Sequence, residues 1–174
     1  MNRFLKTFIT IFFGFLIVNT LYALEVGKPA PLFSLKNQEG KMISLQDNKD
    51  KLWTVVYFYP KAGTPGCTTQ ACAFRDSIKV IKNKGAVVYG VSTDSVASLK
   101  EFHEKHKLTF DLLSDEDAQI AKAYGTKMAV LTMSKRITFI IDDKLVVRSI
   151  DENVDPALDA KKVAEKISEM RSKK

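Results

Sequence analysis

The stretch "WTVVYFY", Trp53 to Tyr59, constrains the fold more than any other part of this chain. Its residues are nearly all β-formers, with no regular alternation of polar and apolar positions. A strand of that kind is covered on both faces, as in a parallel sheet flanked by helices. Pro60 ends it. "AVVYGVS", from Ala86, is a second buried strand, and a helix from about Pro65 to Lys82 is expected between the two. Upstream, "VGKPAPLFSLKNQEGKMISLQD" holds two short apolar stretches around "NQEG", which reads as a small N-terminal hairpin turning at its glycine. Downstream, "VASLKEFHEKHK" reads as a helix, "FDLLSD" as a short extended piece, and "EDAQIAKAYG" as a helix closed by Gly125. "RITFIID" and "LVVRSI" form paired strands around "DDK". "DPALDAKKVAEKISEM" supplies a last helix, with Asp155 as its cap and Pro156 at its first position. This order predicts a three-layer α/β fold. In such sheets the chemistry sits just past the carboxyl ends of strands, and the loop after Tyr59 is such a place.

The first 23 residues have a different character. "MNRFLK" carries two cations, Phe8 to Val18 is an apolar run, and "NTLYA" ends on a small residue. That order predicts a signal peptide cleaved after Ala23, leaving one domain over residues 24–174. An uncleaved membrane anchor is the alternative, although a span needs roughly 20 apolar residues. Either reading places the domain outside the cytoplasm, most simply in a periplasm. The formal net charge is +7, and loss of Arg3 and Lys6 lowers it by two, to +5. Basic chains invite a nucleic-acid reading. Here the lysines are spread beside acids, as in "SDED" and "DENVD", and no aromatics interleave with a basic run, which argues against nucleic acid.

"PKAGTPGCTTQAC", Pro60 to Cys72, contains both cysteines of the chain, five positions apart. Three readings compete: a structural staple, a metal clip and a working redox pair. On one helix, five residues rise about 7.5 Å and turn about 140°, which separates the Cα atoms by roughly 8.6 Å. A disulfide spans about 7 Å at most without backbone movement, so a permanent bridge would forbid the helix this segment otherwise forms. Two thiols are too few for a metal site, and His103 and His106 belong to a charged helix pattern. The redox reading remains. Thr64 suits the helix cap, Pro65 the first position, and Gly66 allows close approach to the backbone. Cys67 then lies in the first turn, where unpaired amides and the positive helix end favour a thiolate. An ordinary thiol is about 3% thiolate at neutral pH, so full ionisation gains only about 30-fold. Fast chemistry needs donors aimed at an oxygen that becomes negative, each worth roughly 2.7–4 kcal/mol. The Thr64 hydroxyl, the Gly66 and Cys67 amides and a distant arginine are candidates, and they point to a substrate with an O–O bond.

"PKAGTPGCTTQACAFRD" resembles the active-site signature of the peroxiredoxins, Pro-x-x-x-Thr/Ser-x-x-Cys. The second cysteine five residues on, with "FRD" behind it, is similar to the bacterioferritin-comigratory or Q-type branch, an atypical two-cysteine group. "GVSTDS", "LLSDEDAQIAKAYG", "RITFIID" and "VDPALDAKKV" follow in that family's order, so the resemblance covers roughly Leu24 to Met170. It implies a thioredoxin-like fold with Cys67 as peroxidatic nucleophile and Cys72 as resolving partner. Pro60 would shield the pocket, and Thr64 would contact thiolate and peroxide. Arg136, opening "RITF", would polarise the peroxide; read by itself it is an ordinary strand-edge cation. Arg75 could pair with Asp76 at the surface. Three departures stand out: Gln70 where many relatives have Glu, Asp159 where His is frequent, and "IIDDKLVV" without the usual turn glycine. The loop "TKMAVLTMSK" also lacks features common in relatives.

The resemblance implies a cycle without metal or cofactor. Cys67 attacks hydrogen peroxide or an organic hydroperoxide and becomes a sulfenic acid, Cys72 condenses with it to a Cys67–Cys72 disulfide, and a thioredoxin-like dithiol restores both. By the distance above, the second step requires the early helix to unwind. Resolution within one chain removes the need for a dimer, and a monomer is expected. Two rivals are a thiol–disulfide exchanger, which usually has two rather than four residues between its cysteines, and an exported binding module with a structural bridge.

Overall fold

The computed structural model describes residues 24–172; the expected signal peptide or anchor lies outside the described residues. Among the described residues seven strands form one mixed sheet. In chain order they are β1 (Ser34–Asn37), β2 (Met42–Ser44), β3 (Trp53–Phe58), β4 (Ala86–Ser92), β5 (Asp111–Ser114), β6 (Ile137–Ile141) and β7 (Val147–Asp151). The helices are α1 (Pro65–Asn83), α2 (Val96–Lys105), α3 (Gln119–Ala123) and α4 (Asp159–Ser172). The sheet order is β2-β1-β5-β4-β3-β6-β7, with β3, β4 and β5 parallel and the remaining pairs antiparallel.

Every residue of β3 is buried, including Thr54, whose hydroxyl accepts from the buried Asn48 amide at 3.1 Å. Trp53, Val55, Tyr57 and Tyr59 face a layer made of α1, α2 and α4. Val56 and Phe58 face the opposite layer, where Phe33, Leu45, Ala121 and Tyr124 pack. Tyr57 stacks on Phe74 of α1 with ring centroids 4.7 Å apart, a contact worth about 0.5–1.5 kcal/mol beyond its area. Gly90 in β4 makes that possible, because a Cβ there would lie 2.6 Å from the Tyr57 hydroxyl. The hydroxyl is buried without a hydrogen-bond partner among the described residues, and burial pushes its pKa well above the usual range.

Four local details refine or depart from the sequence expectation. The last helix begins at Asp159, four residues beyond Asp155. Asp155 instead caps a preceding turn: its carboxylate accepts from the Ala157 amide at 2.9 Å and its carbonyl from Leu158 and Asp159. The helix before Gly125 has only five residues, because Ala118 sits at φ +56° and ends any earlier continuation. Buried Asp115 caps it from a distance, accepting from Ile120 at 3.1 Å and Ala121 at 2.7 Å. The β6–β7 turn manages without glycine. Leu145 adopts φ +61°, held by the Asp142 carboxylate, which accepts from the amides of Lys144 and Val146, both at 2.9 Å. A 3-10 turn over Leu45–Asn48 was not foreseen.

Candidate active site

The carboxyl end of β3 delivers the chain into the loop Pro60–Thr64 and then into α1. The loop is pinned to β4, since the Ala62 amide donates to Asp94 Oδ2 at 2.8 Å and Ser92 Oγ donates to the same oxygen at 2.8 Å. Gly63 supplies the φ of +79° that turns the chain toward the helix. Pro60, half-buried, stands where the strand has ended. Thr64 occupies the helix cap and Pro65 the first position, as the sequence indicated.

The side chain of Thr64 behaves differently from expectation. Its hydroxyl donates to the Lys61 carbonyl at 3.0 Å and makes no cap bond, so its single proton is not directed at sulfur. The consequence is useful chemically. The amides of Gly66 and Cys67 belong to the first turn and have no acceptor within the helix, and the Thr64 side chain does not consume them. They remain free to meet a developing negative oxygen.

Cys67 is buried at 2% exposure, Cys72 is half-buried, and both are free thiols on one uninterrupted helix. The sequence separates Arg136 from Cys67 by 69 positions, but the sheet brings them together. Antiparallel pairing of β3 with β6 sets Phe58 against Ile137, which places the preceding Arg136 at the mouth of the loop. Its Nη2 donates to Cys67 Sγ at 3.3 Å, a charge-assisted contact to the sulfur. Gly66 permits this approach, since a Cβ there would come within 3.3 Å of the same nitrogen.

Arg136 is held from behind. Its Nη1 donates to Gln70 Oε1 at 2.5 Å; Gln70 Nε2 donates to Asp159 Oδ2 at 2.6 Å; Thr138 Oγ1 donates to that oxygen at 2.7 Å. Gln70, Asp159 and Thr138 are at most 2% exposed. Two positions that looked like separate departures thus meet, and the carboxylate missing from position 70 is supplied by α4. Desolvation pushes the Asp159 carboxyl above its ordinary range, opposed by its bonds to Thr138 and Gln70. Arg75 pairs with Asp76 at 2.8 Å and also donates to the His106 carbonyl at 2.8 Å, tying α1 to the end of α2. Site reasoning from sequence missed Asp94, Thr138 and the Gln70–Asp159 link.

A buried cysteine in a first helical turn, faced by an arginine and by unconsumed amides, is suited to hold a thiolate and to meet a developing negative oxygen. A family model described as AhpC/TSA matches residues 26–150. The chain belongs to the AhpC/TSA family of peroxiredoxins. It is 42% identical over 134 residues to a putative peroxiredoxin bcp of Coxiella burnetii, covering 74% of this chain and 88% of that one. To the chloroplastic peroxiredoxin Q of Populus jackii it is 46% identical over 139 residues, covering 79% of this chain but 65% of the relative. The chain thus spans a little under two thirds of that plant relative and most of the bacterial one. Among solved structures it resembles the bacterioferritin comigratory protein of Xanthomonas campestris, with a TM-score of 0.77 and 29% identity, covering 84% of this chain and 97% of that one. That structure was described for insights into alkyl peroxide reduction by the Xanthomonas protein. The mixed sheet and its flanking helices are therefore the thioredoxin-like fold of peroxiredoxins.

Proposed function

We propose that this peroxiredoxin is a thiol-dependent peroxidase acting on hydrogen peroxide and organic hydroperoxides. The observation that carries the reading is the 3.3 Å contact of Arg136 with the buried Cys67 sulfur, beside uncapped helix amides. In the first step the Cys67 thiolate attacks the terminal peroxide oxygen. A sulfur–oxygen bond forms, the O–O bond breaks, and the departing oxygen takes a proton to leave as water or alcohol. Sulfur is oxidised by two electrons to a sulfenic acid. Arg136 and the amides of Gly66 and Cys67 meet the charge that develops on oxygen, which is where fixed donors lower a barrier most.

In the second step the Cys72 thiol displaces hydroxide from the sulfenic sulfur, releasing water and forming the Cys67–Cys72 disulfide. The continuous helix holds the two apart, so the first turns of α1 open for this step. A thioredoxin-like dithiol then donates two electrons, becoming a disulfide as both thiols return. The apolar N-terminal stretch supports export, so that the reductant is one of an oxidising compartment such as the periplasm. Resolution within one chain supports action as a monomer. Peroxide consumption by the protein with a panel of dithiol donors tests the reading: turnover abolished by Cys67→Ser supports it, and turnover retained by that variant overturns it.

A further inference from the structure

Gln70 lies on α1 between the two cysteines, and its fully buried amide is held at both ends. A guanidinium only donates, so the amide oxygen must face Arg136, as it does at 2.5 Å. The NH2 group must then face away and find an acceptor, and Asp159 provides it at 2.6 Å. Thr138 fixes the carboxylate by donating to the same oxygen at 2.7 Å. Thr138, Asp159, Gln70 and Arg136 thus form one connected series of hydrogen bonds: Arg136 donates both to the sulfur of Cys67 and to Gln70, Gln70 donates to Asp159, and Thr138 donates to the same carboxylate oxygen. A negative charge at its far end polarises the amide and strengthens its oxygen as an acceptor.

We infer that Asp159 is a positioning residue: through Gln70 it sets Arg136 against Cys67, and by the same link it latches the first turns of α1 in the folded state. The inference rests on the peroxidase reading above. Gln70 is inside the stretch that must open before Cys72 reaches Cys67, so the helix cannot unwind without withdrawing Gln70 from both partners. Attack on peroxide needs the latch closed, and disulfide formation needs it open. One contact therefore acts with opposite sign on two successive steps. Its strength sets how long the sulfenic acid persists, and with it the exposure of Cys67 to a second peroxide and to sulfinic acid.

The test follows both steps by quenched flow and mass spectrometry in the full-length protein, using hydrogen peroxide. Asp159→Asn keeps an acceptor oxygen for Gln70 and Thr138 but removes the charge; it is expected to slow sulfenic-acid formation by about tenfold, the difference between a charge-assisted and a neutral hydrogen bond, and to speed disulfide formation by a similar factor. It should also yield less sulfinic acid at high peroxide. The exchange variant Q70E/D159N places a carboxylate directly on Arg136, with the introduced amide donating to it and accepting from Thr138, and should restore both rates to within about threefold. Thr138→Val loosens the carboxylate without touching Gln70, and should shift both steps in the same directions by less. Should Asp159→Asn fail to fold, the exchange variant and Thr138→Val decide the matter by these same criteria. The inference is overturned if Asp159→Asn leaves both rates unchanged or slows both, or if the exchange variant does not recover the first. Absence of any sulfenic acid at Cys67 in the wild type would instead overturn the peroxidase reading.

Discussion

Arg136 stands with one guanidinium nitrogen 3.3 Å from the Cys67 sulfur and the other 2.5 Å from the Gln70 carbonyl oxygen. The contact joins the start of β6 to the first turn of α1 across 69 positions of sequence. Arg136→Met keeps the apolar stem and removes the charge and the donors. The rate of Cys67 oxidation should fall about ten- to a hundredfold, the range for a charge-assisted hydrogen bond. Stopped-flow oxidation against peroxide concentration measures it.

Gly66 separates activity from stability. A Cβ at this position would lie 3.3 Å from Arg136 Nη2 and 3.8 Å from Pro156 Cγ, so Gly66→Ala pushes the guanidinium off the sulfur. Alanine nevertheless suits the helix better, by up to about 0.5 kcal/mol in this turn. The variant should be oxidised several-fold more slowly while its denaturant midpoint stays level or rises.

Tyr57 contributes a cost to the folded core, since its hydroxyl is buried without a partner among the described residues. Tyr57→Phe preserves the stack on Phe74, whose centroid is 4.7 Å away, and removes the unsatisfied group. Stability should increase by about 1 kcal/mol, the lower end of the cost of a buried unpaired polar atom. Urea unfolding of the reduced protein checks it.

Asp159 gives the fold a defined pH dependence. Its folded-state pKa is raised, by desolvation first, above the value of 3.8 it has when solvated. A raised acid contributes stability that is complete below the unfolded value and is lost as pH climbs through the folded one. Relative to wild type, Asp159→Asn should therefore gain stability as pH rises from about 4 toward neutrality, where the buried charge is costly. Thermal unfolding of both proteins at matched pH values reads this difference. Ionisation of Asp159 therefore costs the fold as a whole, while its bonds from Gln70 and Thr138 still hold it at the centre of the site.

Much of this was legible in the chain, and the exceptions have physical causes. β3 and β4 were readable because they are short runs rich in β-branched and aromatic residues, bounded by Pro60 and Gly85, which marks strands buried on both faces rather than helix. Cys67 and Thr64 were readable because helix starts are written locally, in "TPG". The start of α4 is displaced from the sequence expectation because Asp155 and Pro156 are good cap chemistry that here serves a turn preceding the helix. Gln70 and Asp159, 89 positions apart, each looked like a lost feature; only the packing of α1 against α4 shows that one makes good the other. The Thr64 hydroxyl went elsewhere because the Lys61 carbonyl, three residues back in the same loop, is within its reach.

Oxidation should also change the helix itself. With the disulfide formed, amide exchange over Pro65 to Phe74 should rise relative to the reduced protein, while α4 keeps its protection. Equal protection of α1 in both states would exclude the unwinding step.

Trapping the oxidised sulfur chemically bears on the central claim most directly. In a Cys72→Ser variant treated with one equivalent of hydrogen peroxide, a dimedone adduct should appear at Cys67, one per chain, and the wild type should show an intramolecular disulfide in its place. An unmodified Cys67 in that variant, after the peroxide has been offered, would contradict the account.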